Sequence, residues 1–212
     1  MKHTLLIIAA LMLVFGCSSD KETDVKIDEN TEEETSSSQA SVEKEPMNYE
    51  KLIEEDGLVY HPDTKELYSG DVFKKYLSSW TEFEGSYKDG IKDGLYTGWY
   101  ESGQKEFEGT YKNGEKDGKW TKWYEDGRKE HEKTYKDGDK TGVWTWWFLN
   151  GQKISEQTYK DGLLDGLYTW WHKNGQKKWE TTFKDGQLIF VKCWDEDGNE
   201  CECSEYLYQG CK

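Results

Sequence analysis

Proline is nearly absent from this 212-residue chain, with two copies, and no stretch of its middle shows sustained helical periodicity. Long apolar runs are missing too. The run Leu5 to Gly16 has 12 residues, fewer than the roughly 20 that a membrane-spanning helix needs. Basic charge is in deficit, with 28 Lys and Arg against 43 Asp and Glu and a net charge of −15. A nucleic-acid footprint needs a net basic face, so nucleic acid is not an expected partner. No Ser-His-Asp arrangement, Gly-rich phosphate loop or nucleophile elbow is recognisable. These absences argue against an enzyme, and no cofactor or metal is expected.

What is present is a strict period. Gly94, Gly118, Gly142 and Gly166 are each 24 residues apart. The same step links Trp99, Trp123, Trp147 and Trp171, and also Tyr87, Tyr111, Tyr135, Tyr159 and Phe183. A fixed period of this size marks an array whose units bury their faces only against their neighbours. Such arrays offer extended surfaces rather than enclosed pockets. His61, His131 and His172 fall at different phases of the period and form no evident cluster.

One period reads as a hairpin. Residues 95–100 are aromatic and β-branched, as a strand should be, and Glu101-Ser102-Gly103 suits a turn with a left-handed glycine. Residues 105–112 are the return strand, and Asn113-Gly114 through Asp117-Gly118 is read as a longer turn into the next unit. Pairing Tyr100 with Gln104 puts Trp99 opposite Lys105 and Thr97 opposite Phe107. One face then carries Trp99, Phe107 and Tyr111, and the other carries Tyr96 and Tyr100. Trp123, Trp147 and Trp171 extend one aromatic ladder; Trp120, Trp144 and Tyr168 extend the other. Residues 57–192 are assigned to this array, with interspersed Lys and Glu that nearly cancel, 22 basic against 23 acidic over 58–192.

The segments Asn174-Gly175-Gln176-Lys177-Lys178-Trp179-Glu180-Thr181-Thr182-Phe183-Lys184-Asp185-Gly186 and Asp165-Gly166-Leu167-Tyr168-Thr169-Trp170-Trp171 before it resemble the bacterial variant of the MORN repeat, the YwqK-like group often labelled as antitoxins. The leading stretch 56–72 is similar to the entry segment of that family. The resemblance implies an all-β fold, an elongated single-layer antiparallel sheet of β-hairpin repeats, and says little about chemistry.

The N-terminus looks like an export signal spanning residues 1–16. Val14-Phe15-Gly16-Cys17 is similar to the lipobox of bacterial lipoproteins, so Cys17 is the expected lipid attachment site, carrying a diacyl anchor and tying the chain to the cell membrane. Ser18 after it resembles the outer-membrane sorting pattern of Gram-negative lipoproteins. Residues 17–56 read as an acidic disordered tether, with 14 acidic and 4 basic residues from Ser18 to Asp56. Within it, Tyr49 to Ile53 reads as a short strand or a short helix leading into the array.

Four further cysteines, Cys193, Cys201, Cys203 and Cys211, lie in the last 20 residues, a cap over 193–212. An even, clustered set in an exported chain reads as two disulfides. If Gly198 repeats the part of Gly103, Cys193 lies opposite Cys201. That favours Cys193–Cys201 with Cys203–Cys211, against the rival of a four-cysteine zinc site. The cap would close the end of the array.

Eleven tryptophans carry the functional reading. Those in phase are expected to hold hairpins together. Trp80, Trp146 and Trp179 lie outside the two ladders and are the candidate binding surface; Trp179 shares a slot with Phe107, His131 and Ser155. The expected protein is a non-enzymatic envelope lipoprotein that binds a protein partner. The alternatives are an immunity protein that neutralises a toxin in the periplasm, and glycan binding through exposed aromatics.

Overall fold

The computed structural model describes residues 45–205 and 209–212. The signal segment, Cys17 and the acidic stretch up to residue 44 lie outside the described residues. The chain divides into two units, Met1–Ser41 and Val42–Lys212, and the second carries the strands.

This unit is built of short and long strands in series. The entry part holds β1 (Met47–Asn48), a 3-10 turn (Tyr49–Lys51), β2 (Ile53–Glu55), β3 (Leu58–Tyr60), β4 (Gly70–Lys75), β5 (Thr81–Lys88) and β6 (Ile91–Lys92). The array continues through β7 (Gly94–Trp99), β8 (Lys105–Lys112), β9 (Glu115–Trp123), β10 (Lys129–Lys136), β11 (Asp139–Trp147), β12 (Lys153–Lys160), β13 (Leu163–Trp171) and β14 (Lys177–Lys184). It ends with β15 (Gln187–Trp194) and β16 (Glu200–Cys201). Among the described residues the first strand starts at Met47, inside the stretch expected as tether. Tyr49–Lys51 is the 3-10 turn, with Ile53 opening β2.

One 14-stranded sheet runs β1-β4-β5-β7 and then in sequence order to β16, with β6 paired to β5. All pairings in it are antiparallel except β1 with β4. Each edge strand has two residues: β1 pairs with Val72 and Phe73 of β4, and β16 with Cys193 and Trp194 of β15. The small hairpin β2–β3 folds over the entry end, where Val59, Tyr68 and Val72 join Tyr87, Tyr96 and Trp120 in the buried cluster.

Two kinds of turn alternate. At one end, Asn113-Gly114, Asp137-Gly138, Asp161-Gly162 and Asp185-Gly186 all have positive φ at both positions, the two-residue turn whose twist suits a hairpin. β9 begins at Glu115, so Lys116-Asp117-Gly118 lies within a strand and the expected long turn is a tight one. At the other end, the Tyr100 N–H donates to the Gln104 carbonyl and the Gly103 N–H to the Tyr100 carbonyl, with Gly103 left-handed.

The expected register holds at Trp99 opposite Lys105 and then shifts. A bulge between Gly98 and Trp99 sets Gly98 opposite Phe107, and Thr97 opposite Glu108. The extra residue turns Phe107 and Tyr111 to the side of Tyr96, leaving Trp99 on the other face. The bulge recurs between Trp146 and Trp147 and between Trp170 and Trp171.

The cysteines are disulfide-bonded as Cys193–Cys203 and Cys201–Cys211, with Cα atoms 5.3 and 5.7 Å apart. This corrects the expected pairing. Cys193 does oppose Cys201, and Cys203 opposes Cys211. Cys201 and Cys203, two residues apart on one face, are both within reach of either partner. Register therefore sets which Cα atoms oppose without choosing which thiols bond.

Candidate binding face

The two faces of the sheet differ in chemistry because odd and even positions of each repeat differ. One face carries Thr97, Thr121, Thr145 and Thr169, all buried, with Trp123, Trp147, Trp171 and Trp194 at its margin. A lysine lies over each of these rings: Lys105, Lys129, Lys153 and Lys177, with Nζ 5.5–5.7 Å from the ring centres. Each of the four also pairs with the glutamate three residues on, as Lys129 does with Glu132 at 2.7 Å and Lys177 with Glu180 at 2.6 Å. The charge on this threonine face is answered within the repeat.

The opposite, aromatic face is built of three rows. The first runs through opposed residues Phe83, Gly98, Phe107, Lys122, His131, Trp146, Ser155, Trp170, Trp179 and Cys193. Small residues interrupt it at two places. Gly98 is small because a Cβ there would meet the Phe107 ring at 2.1 Å, and buried Ser155 lies between Trp146 and Trp170. The second row holds Tyr96, Trp120, Trp144 and Tyr168, with the Trp120 and Trp144 Nε1–H groups donating to the carbonyls of Thr110 and Thr134 at 3.0 and 2.8 Å. The third holds Tyr87, Tyr111, Tyr135, Tyr159 and Phe183, opposed to Lys92, Lys116, Lys140, Leu164 and Leu188.

The lysines of this face are arranged unlike those of the other. Lys92 lies 5.2 Å over Tyr96 and 5.1 Å over Tyr111; Lys116 lies 4.2 Å over Trp120 and 5.4 Å over Tyr135. Lys140 spans Trp144 and Tyr159, and Lys133 spans Trp144 and Trp146. Among the described residues, none of these four has a carboxylate within ion-pair distance, whereas Lys122 is held by Glu130 at 3.4 Å and Glu106 at 3.7 Å, and Lys74, opposite Phe83, by Glu82 at 3.0 Å. Burial, then the neighbouring Lys92, holds Lys116 below the ordinary lysine range. Burial, then Lys116, does the same to Lys133 more strongly than Glu130 opposes it. A shallow groove of about 350 Å³ runs between them, floored by Phe107, Tyr111, Trp120 and Tyr135.

The three tryptophans singled out from sequence separate. Trp80 is 60% exposed, beside the Gly103 turn. Trp146 is half-buried on the aromatic face, 6.0 Å from Trp144 and 6.4 Å from the His131 ring. Trp179 is 6% exposed, stacked on Trp170 at 5.8 Å and edge-on to Tyr168 at 4.6 Å, so it is core rather than contact surface. Its slot varies because the residue opposite varies, not because the slot faces solvent. The unpaired lysines are not evident in the sequence by themselves; Lys92, Lys116 and Lys140 stand 24 residues apart and become legible as a row once their face is known.

An open sheet of stacked hairpins, uncovered over β8–β15 among the described residues, defines a hairpin-repeat protein. The family described as MORN repeat variant matches residues 92–113, 116–137, 140–161 and 164–185, so four segments of the array are similar to repeats of that type. No curated protein matches the chain.

Proposed function

We propose that the chain is a non-enzymatic, lipid-anchored protein of the cell envelope whose array binds a protein partner through its aromatic face. The observation that carries this reading is the contrast between the faces: the threonine-face lysines beside Trp123, Trp147, Trp171 and Trp194 each have a glutamate, whereas Lys92, Lys116, Lys133 and Lys140 have none among the described residues. Lys92, Lys116 and Lys133 are half-buried and Lys140 is exposed; charges left half-buried and unpaired cost stability, and a partner that supplies the opposite charge recovers it. Glycan binding is the weaker reading. Sugar stacking needs free ring planes, and the rings of this face are already covered by lysines and by one another, leaving Trp80 and Phe190 as exposed rings among the described residues. A toxin arriving in the periplasm fits the protein-binding reading as one kind of partner.

Two measurements test the proposal. Cys17→Ala should move the protein out of the membrane fraction and abolish fatty-acid labelling. Lys116→Glu with Lys133→Glu should lose a protein retained from envelope extracts by the unmodified chain, while Lys129→Glu with Lys153→Glu on the other face should keep it. Equal retention by both double variants would place binding elsewhere.

A further inference from the structure

The row Lys92, Lys116 and Lys140 repeats once per hairpin, that is every second strand. At about 4.8 Å between strands, this sets the cations about 10 Å apart across the sheet. An extended polypeptide rises about 3.3 Å per residue, so every third residue of such a chain falls at the same spacing. Lys133 stands in the adjacent row and shares the Trp144 ring with Lys140. The row stops at one place: Leu164 takes the position of Lys140 in the next repeat, and Gln157 that of Lys133. The free charge is therefore confined to β6–β11. Below it the groove floor is apolar, while Glu106 and Glu130 are engaged by Lys122 at its rim.

We propose that this part of the aromatic face, centred on the groove between Lys116 and Lys133, binds an extended acidic segment of a polypeptide lying across the strands, with Asp or Glu at about every third position received by Lys92, Lys116 and Lys140, and with Lys133 sharing the acid at Lys140. This rests on the reading that the aromatic face contacts a protein, and it adds the partner's chemistry. An ammonium carries three N–H donors, so a lysine held over a ring face retains donors for a second partner. A carboxylate arriving there gains charge-assisted hydrogen bonds without having to displace a resident carboxylate. Residues between the acids have room for small side chains against Tyr111 and Tyr135. The four contacts are individually weak, and their linkage in one chain gives the affinity.

The test uses the full chain and a fluorescent peptide of about 9 residues with Glu at every third position and Ser between, spanning the three rungs Lys92, Lys116 and Lys140 at the extended rise. Its Gln counterpart and polygalacturonate serve as comparisons. The Glu peptide should bind, weakening steeply with added salt as screening predicts, and the Gln peptide should not. Lys116→Met with Lys133→Met, which keeps the apolar stems on the rings, should weaken binding on the order of tenfold, with melting checked alongside. Lys116→Arg with Lys133→Arg should restore it, and Lys129→Met should change nothing. Equal binding of the Glu and Gln peptides, or no loss in the methionine variant, overturns the proposal. Binding of polygalacturonate alone replaces the acidic peptide with an acidic glycan. If the peptide fails while aromatic-face variants still lose the envelope partner, the face reading stands and the acidic chemistry falls.

Discussion

The Tyr100 hydroxyl donates to the Trp123 carbonyl oxygen at 2.7 Å, joining one repeat to the next across 23 residues. The same bond joins Tyr76 to Trp99 and Tyr124 to Trp147, each at 2.7 Å. At the fourth step Phe148 has no hydroxyl, and at the fifth the His172 Nε2 contacts the Trp194 carbonyl at 3.0 Å. Each link fixes the turn of one hairpin against the strand end of its neighbour. Tyr124→Phe should lower stability by about 0.5–1.5 kcal/mol, the usual worth of a partly buried hydrogen bond. Phe148→Tyr supplies the missing hydroxyl and should raise stability by a similar amount. Denaturant unfolding of both variants checks the pair.

Trp179 and Trp123 exchange the roles that their phases suggest. Trp179 is packed between Trp170 and Tyr168, so Trp179→Ala should cost about 3–5 kcal/mol, as for a well-packed aromatic. Trp123 lies at the margin of the threonine face under Lys105, and Trp123→Ala should cost distinctly less. Thermal melts of the two variants decide this; the opposite order would mean that the turn-end tryptophans hold the array.

The period, the hairpins and the Gly103-type turn are legible in the sequence because they depend on neighbours along the chain. The face assignment is not, because the bulge after Gly98 inserts one residue and reverses every later position on the return strand. Nothing local to Phe107 announces that bulge. The same shift hides the binding face: with Tyr111 placed beside Trp99, Lys116 cannot be seen against Trp120. The Cys193–Cys201 register is legible from Gly198, whereas the bonds are not, since two thiols on one face compete for each partner.

The disulfide pattern has a direct readout, because Glu202 separates Cys201 from Cys203. Unreduced digestion after glutamate should link the dipeptide Cys201-Glu202 to the peptide carrying Cys211. It should link Cys203-Ser204-Glu205 to the peptide carrying Cys193. The exchanged linkage would contradict the structure.

His131 gives the array a pH dependence. Burial, then Lys133, lowers its pKa from the ordinary value of 6.5, although Glu130 is 3.3 Å away and pulls upward. The folded state therefore takes up this proton at lower pH than the unfolded chain. The unfolded state binds more protons as pH falls through about 6.5, so stability declines there as acid is added. His131→Phe, with the residue found at the same slot in Phe107, should lack that part of the decline between about pH 7 and 5. Melting curves of the two proteins over this range check it; parallel curves would assign the decline to other groups.

The central claim is that the aromatic face, and not the threonine face, meets the partner. Photo-crosslinking side chains placed singly at Leu164 on the aromatic face and at Val143 on the threonine face, in cells carrying the full chain, test it most directly. The account predicts a discrete protein adduct from position 164 that is lost with Lys116→Glu and Lys133→Glu, and none from position 143. Adducts from position 143 alone, or an adduct at 164 indifferent to the two lysines, would contradict it.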